Sequence, residues 1–166
     1  MSNESAPLVL LVDANRWARA DTAELLRFAG YRTLEAGDGR SGLRLAREHR
    51  PDVVLLDLVL PKLSGLEVLV ALQAAPARAR IPVILVSAYA RLIDQRFVAG
   101  AHEKPYGTLE LLRDIERALP AGRSPAYSAE EVLERLFQPK QPPHAAEPYP
   151  LIDEVEHFLR QTRGGC

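Results

Sequence analysis

A chain of 166 residues, 47% of them apolar and with a net charge of −1, has room for one ordinary domain and an appendage, not for two full domains. The near-neutral balance gives no bulk attraction to nucleic acid or to an anionic membrane, and the single cysteine, Cys166, excludes an internal disulfide framework and a cysteine-based zinc site. No stretch is long and apolar enough to span a bilayer, and the opening MSNESAP has neither the basic nor the apolar part of a signal peptide, so a soluble, cytoplasmic protein is expected.

The first apolar run, LVLLVD at 8–13, reads as a strand. From Arg16 to Ala29 a helix is predicted, with Ala18, Leu25, Leu26 and Ala29 near one face and Gly30 as its stop. Arg32 to Ala36 reads as a weaker, more exposed strand. Arg40 to His49 is a second helix, carrying Leu43, Leu45 and Ala46 and broken at Pro51. VVLLD at 53–57 is a second buried strand, ended by the turn signals Pro61 and Ser64-Gly65. A helix over Gly65 to Gln73, the run PVILVSA at 82–88, and a helix over Thr108 to Leu119 follow. In the last, Leu109, Leu112, Ile115 and Leu119 share a stripe.

The three apolar runs are short, rich in Val, Leu and Ile, and not alternating, which suits a parallel sheet covered on both faces. Strands and helices alternating at these lengths imply a doubly wound α/β domain over residues 1–119. Residues 120–166 differ. Pro120, Pro125, Pro139, Pro142, Pro143, Pro148 and Pro150 punctuate an α-helical C-terminal extension with two short helices, at about 128–137 and 151–161. Ser128 caps the first, with Glu131 at the capping-box position. Such helices are too short to stand alone in water. They are expected to bury Val132, Leu136, Val155 and Phe158 against the domain, a second copy or a partner.

A carboxylate ending a buried run is costly unless it is paired, hydrogen-bonded or bound to a cation. The three runs end in Asp13, Asp57 and Ser87, and Lys104 precedes Pro105 just before the last helix of the domain. In an open parallel sheet ligands bind beyond the carboxyl ends of the strands, so two carboxylates, a hydroxyl and an ammonium are expected on one rim. That set suits a phosphoryl acceptor: carboxylates for a hard cation, one of them as nucleophile, and hydroxyl and ammonium for the phosphoryl oxygens.

With LLVD at 10–13, DLVLPKLSG at 57–65, VSA at 86–88 and KPY at 104–106 in that order, the chain resembles the receiver domains of bacterial two-component response regulators over roughly residues 7–119. The resemblance implies a five-stranded sheet flanked by five helices in the flavodoxin-like order. It implies that Asp57 is the phosphoacceptor, charged by a histidine kinase or phosphotransfer protein, with Mg²⁺ beside it. Asp13 then corresponds to a metal-site acid, the Val59 backbone carbonyl to a metal ligand, Ser87 to the switch hydroxyl and Lys104 to the phosphate-contacting lysine. The Lys104–Pro105 peptide is expected to be cis.

Two departures stand out. The family's second acid is Ala14 here, so Mg²⁺ is expected to bind weakly or not at all, with the amide oxygen of Asn15 as a poor substitute. The segment SAYARLIDQRFVAGAHEK, between Ser87 and Lys104, is shorter than the family's, and its helix is expected to be shortened, displaced or irregular. The position of the family's switch aromatic is Ala101; neither Tyr89 nor Phe97 aligns with it simply.

The leading reading is a signalling receiver, phosphorylated at Asp57, that acts through contacts with a downstream protein or a second copy of itself. The alternative is a pseudo-receiver that works without phosphorylation. An aspartyl-phosphate phosphatase ranks last, because Val59 stands where its acid–base carboxylate belongs, so no enzyme is expected. The extension holds five Lys and Arg against seven Asp and Glu and is too short for a helix-turn-helix domain, so no nucleic-acid partner is expected. His49, His102, His144 and His157 lack metal-ligand spacing, and Arg16, Arg19, Arg27 and Arg32 read as solvated surface.

Overall fold

The computed structural model describes residues 6–137. Its order is β1 (Leu8–Val12), α1 (Arg16–Phe28), β2 (Arg32–Ala36), α2 (Gly39–His49), β3 (Val53–Leu56), α3 (Gly65–Gln73), β4 (Val83–Val86), β5 (Gly100–His102), α4 (Thr108–Ala118) and α5 (Ala129–Phe137). The five strands form one sheet in the order β2-β1-β3-β4-β5, and every pairing is parallel. The flavodoxin-like receiver architecture implied by the sequence is therefore the observed one.

Both faces of the sheet are buried, which is why the central strands show no alternation in sequence. Alternation reappears in space. Val9 and Leu11, Val53 and Leu55, and Ile84 and Val86 point into a core with Leu26 of α1, Leu112 and Ile115 of α4, and Val132 of α5. Leu10 and Val12, Val54 and Leu56, and Val83 and Leu85 point into the opposite core, with Ala46 of α2 and Val68, Leu69 and Leu72 of α3.

Local chemistry starts the helices. Asn15 caps α1, accepting from the N–H groups of Trp17 and Ala18. Asp38 caps α2 through the N–H of Ser41, and Ser64 and Glu67 form a reciprocal capping box on α3. Gly30, just past α1, has φ +92°, and a Cβ there would lie 2.4 Å from that of Ala126.

Between β4 and β5 there is no α-helix. Two three-residue 3-10 turns, Ala90–Leu92 and Gln95–Phe97, carry the chain across, so the fifth α-helix among the described residues comes from beyond residue 119. The Ser128–Glu131 capping box starts it, the Glu131 carboxylate accepting from the Ser128 N–H at 2.7 Å and the Ser128 hydroxyl accepting from the Glu131 N–H at 3.3 Å. α5 buries Ala129 and Val132 in the domain core. Glu116 of α4 accepts from the Ala129 N–H at 2.6 Å, Arg113 pairs with Glu130 at 2.7 Å, and Arg135 stacks over Tyr127 at 4.0 Å. The compact unit accordingly runs to Leu136. Leu136 itself is 47% exposed, unlike its expected burial. The helix expected at about 151–161, with Val155 and Phe158, lies outside the described residues, as do His144, His157 and Cys166. Among the described residues, no helix is long and apolar enough to cross a membrane.

Candidate functional site

Asp13 and Asp57 are the first residues past β1 and β3, and Ser87 the first past β4. Each is held by one further backbone bond to the neighbouring strand: Asp13 N–H to Ala36 at 3.1 Å, Asp57 N–H to Val12 at 2.9 Å, and Ser87 N–H to His102 at 3.1 Å. The sheet thus delivers their side chains to one rim. Gly65 closes the turn beneath, where a Cβ would lie 2.0 Å from the carbonyl oxygen of Asp57.

Lys104 follows β5 and precedes a cis peptide bond to Pro105. Its Nζ donates to Asp13 Oδ2 at 2.5 Å and to Asp57 Oδ2 at 2.7 Å. The other oxygens are also engaged: Asp13 Oδ1 accepts from the Asn15 N–H at 2.7 Å and Asp57 Oδ1 from the Val59 N–H at 3.0 Å. Ser87 is fully buried, and its hydroxyl is among the groups that favour the charged form of Asp57. Burial of Asp57 opposes its ionisation, but the bonds from Lys104 and Val59, with the Ser87 hydroxyl nearby, outweigh it and hold the carboxyl below its ordinary range. Burial likewise opposes the charge on Lys104, and the bonds to Asp13 and Asp57 overcome it and hold the ammonium above its ordinary range.

The structure therefore brings together four of the residues singled out in the sequence, Asp13, Asp57, Ser87 and Lys104. Val59 lies on the same rim with a 60% exposed side chain. Asn15 is occupied elsewhere: its Oδ1 accepts from Trp17 and Ala18 at 3.0 and 3.2 Å, facing the first turn of α1. Ala14 is exposed. The loop carrying Val59 is fastened to α2 by Gly39 N–H to Pro61 at 3.3 Å and by Lys62 to Asp38 at 2.9 Å. The Ser41 N–H, followed by Lys62, lowers the Asp38 carboxyl to about 2.

Arg19 corrects the sequence reading. It is not solvated surface: its side chain is only 18% exposed, donates to the carbonyl oxygen of Asp13 at 2.5 Å and lies 3.3 Å from Glu35 on β2. Thr22 and Tyr106 share a hydroxyl hydrogen bond of 3.0 Å. Together with Asp13, Asp57 and Arg19 they line a cavity of about 20 Å³ under the rim, enough for one water. Spacing on α1 places Arg19 and Thr22 one turn apart, but only the fold brings Glu35 and Tyr106 to them. Trp17, by contrast, is 68% exposed, with Arg16 over its ring at 4.5 Å.

For a hard cation the rim offers two carboxylates and the Val59 carbonyl. Among the described residues no three His, Cys, Asp or Glu converge. Mg²⁺ is commonly held through one or two carboxylates with water in its other positions, so the donor set fits, at its minimum. Any such cation competes with the Lys104 ammonium for both carboxylates.

A family model described as the response regulator receiver domain matches residues 9–116. The polar-differentiation response regulator DivK of Brucella anthropi is 40% identical over 87 residues, covering 52% of this chain and 71% of DivK. The transcriptional regulatory protein PrrA of Mycobacterium tuberculosis is 34% identical over 134 residues, 78% of this chain and 57% of PrrA. The chain thus spans little more than half of PrrA's length. A solved receiver domain of a sensor histidine kinase from Pseudomonas aeruginosa PAO1, with a magnesium ion coordinated in its active site cleft, is similar at a TM-score of 0.60 and 30% identity. That match covers 68% of this chain and 96% of the other.

Proposed function

The chain belongs to the response regulator receiver family of two-component signalling, and from that premise we propose that Asp57 accepts a phosphoryl group from a histidine kinase or phosphotransfer protein. The output is contact with a downstream protein or a second copy. The observation that supports this reading is the Lys104 ammonium, 2.7 Å from Asp57 and 2.5 Å from Asp13, beside the buried Ser87 hydroxyl.

In the proposed reaction an oxygen of Asp57 attacks the phosphorus of a phosphohistidine. The P–O bond forms as the P–N bond breaks, and the donor imidazole leaves with the electron pair. The low carboxyl pKa keeps Asp57 ionised at neutral pH, so its attack needs no general base. Lys104 then exchanges Asp57 Oδ2 for a phosphoryl oxygen while keeping Asp13, and Ser87 donates to a second. Asp13, Asp57 and the Val59 carbonyl are the groups that would hold Mg²⁺, which when bound supplies positive charge against the phosphoryl oxygens. Receiver domains are signalling modules, and the apolar Val59 supplies no acid–base group for turnover of a small phosphate ester.

The test is incubation with acetyl phosphate, with and without Mg²⁺, read by intact mass. The expected result is a gain of one phosphoryl group that is absent in Asp57→Asn. A second reading, a phosphorylation-independent interaction module, is favoured by Ala14 and by Lys104 already satisfying both carboxylates. No uptake in the native protein, with uptake restored in Ala14→Asp, would establish that reading instead.

A further inference from the structure

At the end of the sheet opposite Asp57, α2 and α3 finish side by side, and Arg50 and Ile81 lead the chain back towards β3 and β4. A cleft of about 220 Å³ opens there, lined by Ala46, Leu72, Ala75 and Ile81, with Arg47 and Arg50 among the lining side chains. On its other wall the three-residue turn Ala77–Ala79 carries exposed Arg78, and Arg80 donates to the carbonyl of Ala75 at 3.1 Å. Arg47, Arg50 and Arg78 have no acidic partner among the described residues, and the one nearby acid on α2, Glu48, is taken by Arg44 at 2.8 Å. Two arginines thus line an aliphatic floor, with Arg78 and Arg80 on the turn that follows it, and no carboxylate among the described residues lines the cleft. A helix dipole draws cations to the last turn of α2. It does not explain Arg78, nor an arginine rather than glycine at Arg50, whose φ is +47°.

We propose that this cleft docks an acidic peptide segment of a partner protein, which seats an aliphatic side chain on the floor and its carboxylates on the arginines. Charge complementarity selects an anion, and arginine pairs with carboxylates through two parallel hydrogen bonds. The floor selects among anions. It has no aromatic ring on which a base could stack, which sets it apart from a single-stranded nucleic acid platform. Its apolar residues are recessed, whereas a membrane-binding surface projects them. The site lies at the far end of the strands from Asp57, so it offers a contact that does not pass through the phosphoacceptor rim. In this it goes beyond the receiver reading.

The test is to pan a random dodecapeptide library on the full chain and to measure the recovered peptides against the double variant Arg47→Glu/Arg50→Glu. The expected result is net-acidic peptides carrying Leu, Ile or Val that bind the variant about tenfold or more weakly, since like charges now oppose them. Ala75→Gln, which leaves the arginines in place, should weaken the same peptides and leave binding of a plain oligoglutamate unchanged. Thermal melting of both variants, unchanged from native, shows that these surface changes leave the fold intact. Recovery of neutral or basic peptides, no recovery at all, or equal binding by the double variant overturns the proposal. So does tighter arginine-dependent binding of single-stranded DNA or of phosphatidylglycerol vesicles than of the peptides.

Discussion

At the scale of single residues, the rim is a charge-balance problem with Lys104 at its centre. Two largely buried carboxylates share one ammonium, so the lysine is worth more than either acid. Lys104→Met should cost about 1–3 kcal/mol, because it leaves like charges facing each other, whereas Asp57→Asn should change stability by no more than about 1 kcal/mol in either direction, since the Lys104–Asp13 pair survives it. Urea unfolding at pH 7 distinguishes the two. The pKa directions set the pH window. Asp57 is held low, so its contribution is complete above the ordinary carboxyl value of about 4 and is lost as pH falls through the lower folded value. Lys104 is held high, so its contribution is complete below the ordinary value of about 10.4 and is lost as pH rises through the higher folded value. The difference in unfolding midpoint between native protein and Lys104→Met should therefore be flat near neutrality and shrink at both extremes. Asp13, Asp57 and Ser87 were legible in sequence because apolar runs fix where strands end, and Lys104 from its place before Pro105 and the family resemblance. Arg19 was not, since its burial depends on Glu35 in another strand, and nothing in its own helix separates it from Arg16 or Arg27.

At the scale of elements, helices α1–α4 and strands β1–β4 follow from apolar spacing and the breaks at Gly30, Pro51 and Ser64-Gly65. The three-residue β5 and the 3-10 turns do not, because elements that short carry no period to read. α5 was legible from its capping box, but what it packs on was not. That is decided by Gly30 and Ala126, nearly a hundred residues apart in the chain. Gly30→Ala should cost about 2 kcal/mol or more, combining a left-handed backbone with a clash that only displacement of the segment before α5 relieves. The same substitution in a chain ending at Leu119 should cost less, since Ala126 is gone. Comparison of urea midpoints in the two backgrounds tests whether α5 is seated as described.

At the scale of the whole molecule, the two cores share one sheet but differ in what completes them. One is closed by α5, so ending the chain at Leu119 should cost about 3 kcal/mol or more, mostly from the core surface around Leu112 and Ile115 that Tyr127 and Val132 now cover. At the rim, Ala14→Asp should strengthen Mg²⁺ binding by about tenfold or more, since ligand charge largely sets affinity at oxygen sites. Trp17, the only tryptophan and exposed just past Asn15, is a natural fluorescence reporter for that titration. The strand order came from family resemblance, because apolar runs specify strands but not their neighbours.

The crossing from β4 to β5 bears on how this part of the molecule should move. A full helix moves as a rigid lever because its bonds open cooperatively, but the two turns there hold only isolated bonds, such as Leu92 N–H to Tyr89 at 3.0 Å and Phe97 N–H to Asp94 at 3.1 Å. They sit directly downstream of Ser87, whose hydroxyl influences the charge of Asp57. A change at the acceptor should then alter how often this stretch opens rather than displace an intact piece. Amide hydrogen exchange should find residues 89–98 among the fastest between β1 and α4, and occupancy of Asp57 should alter their protection before it alters that of α3 or α4.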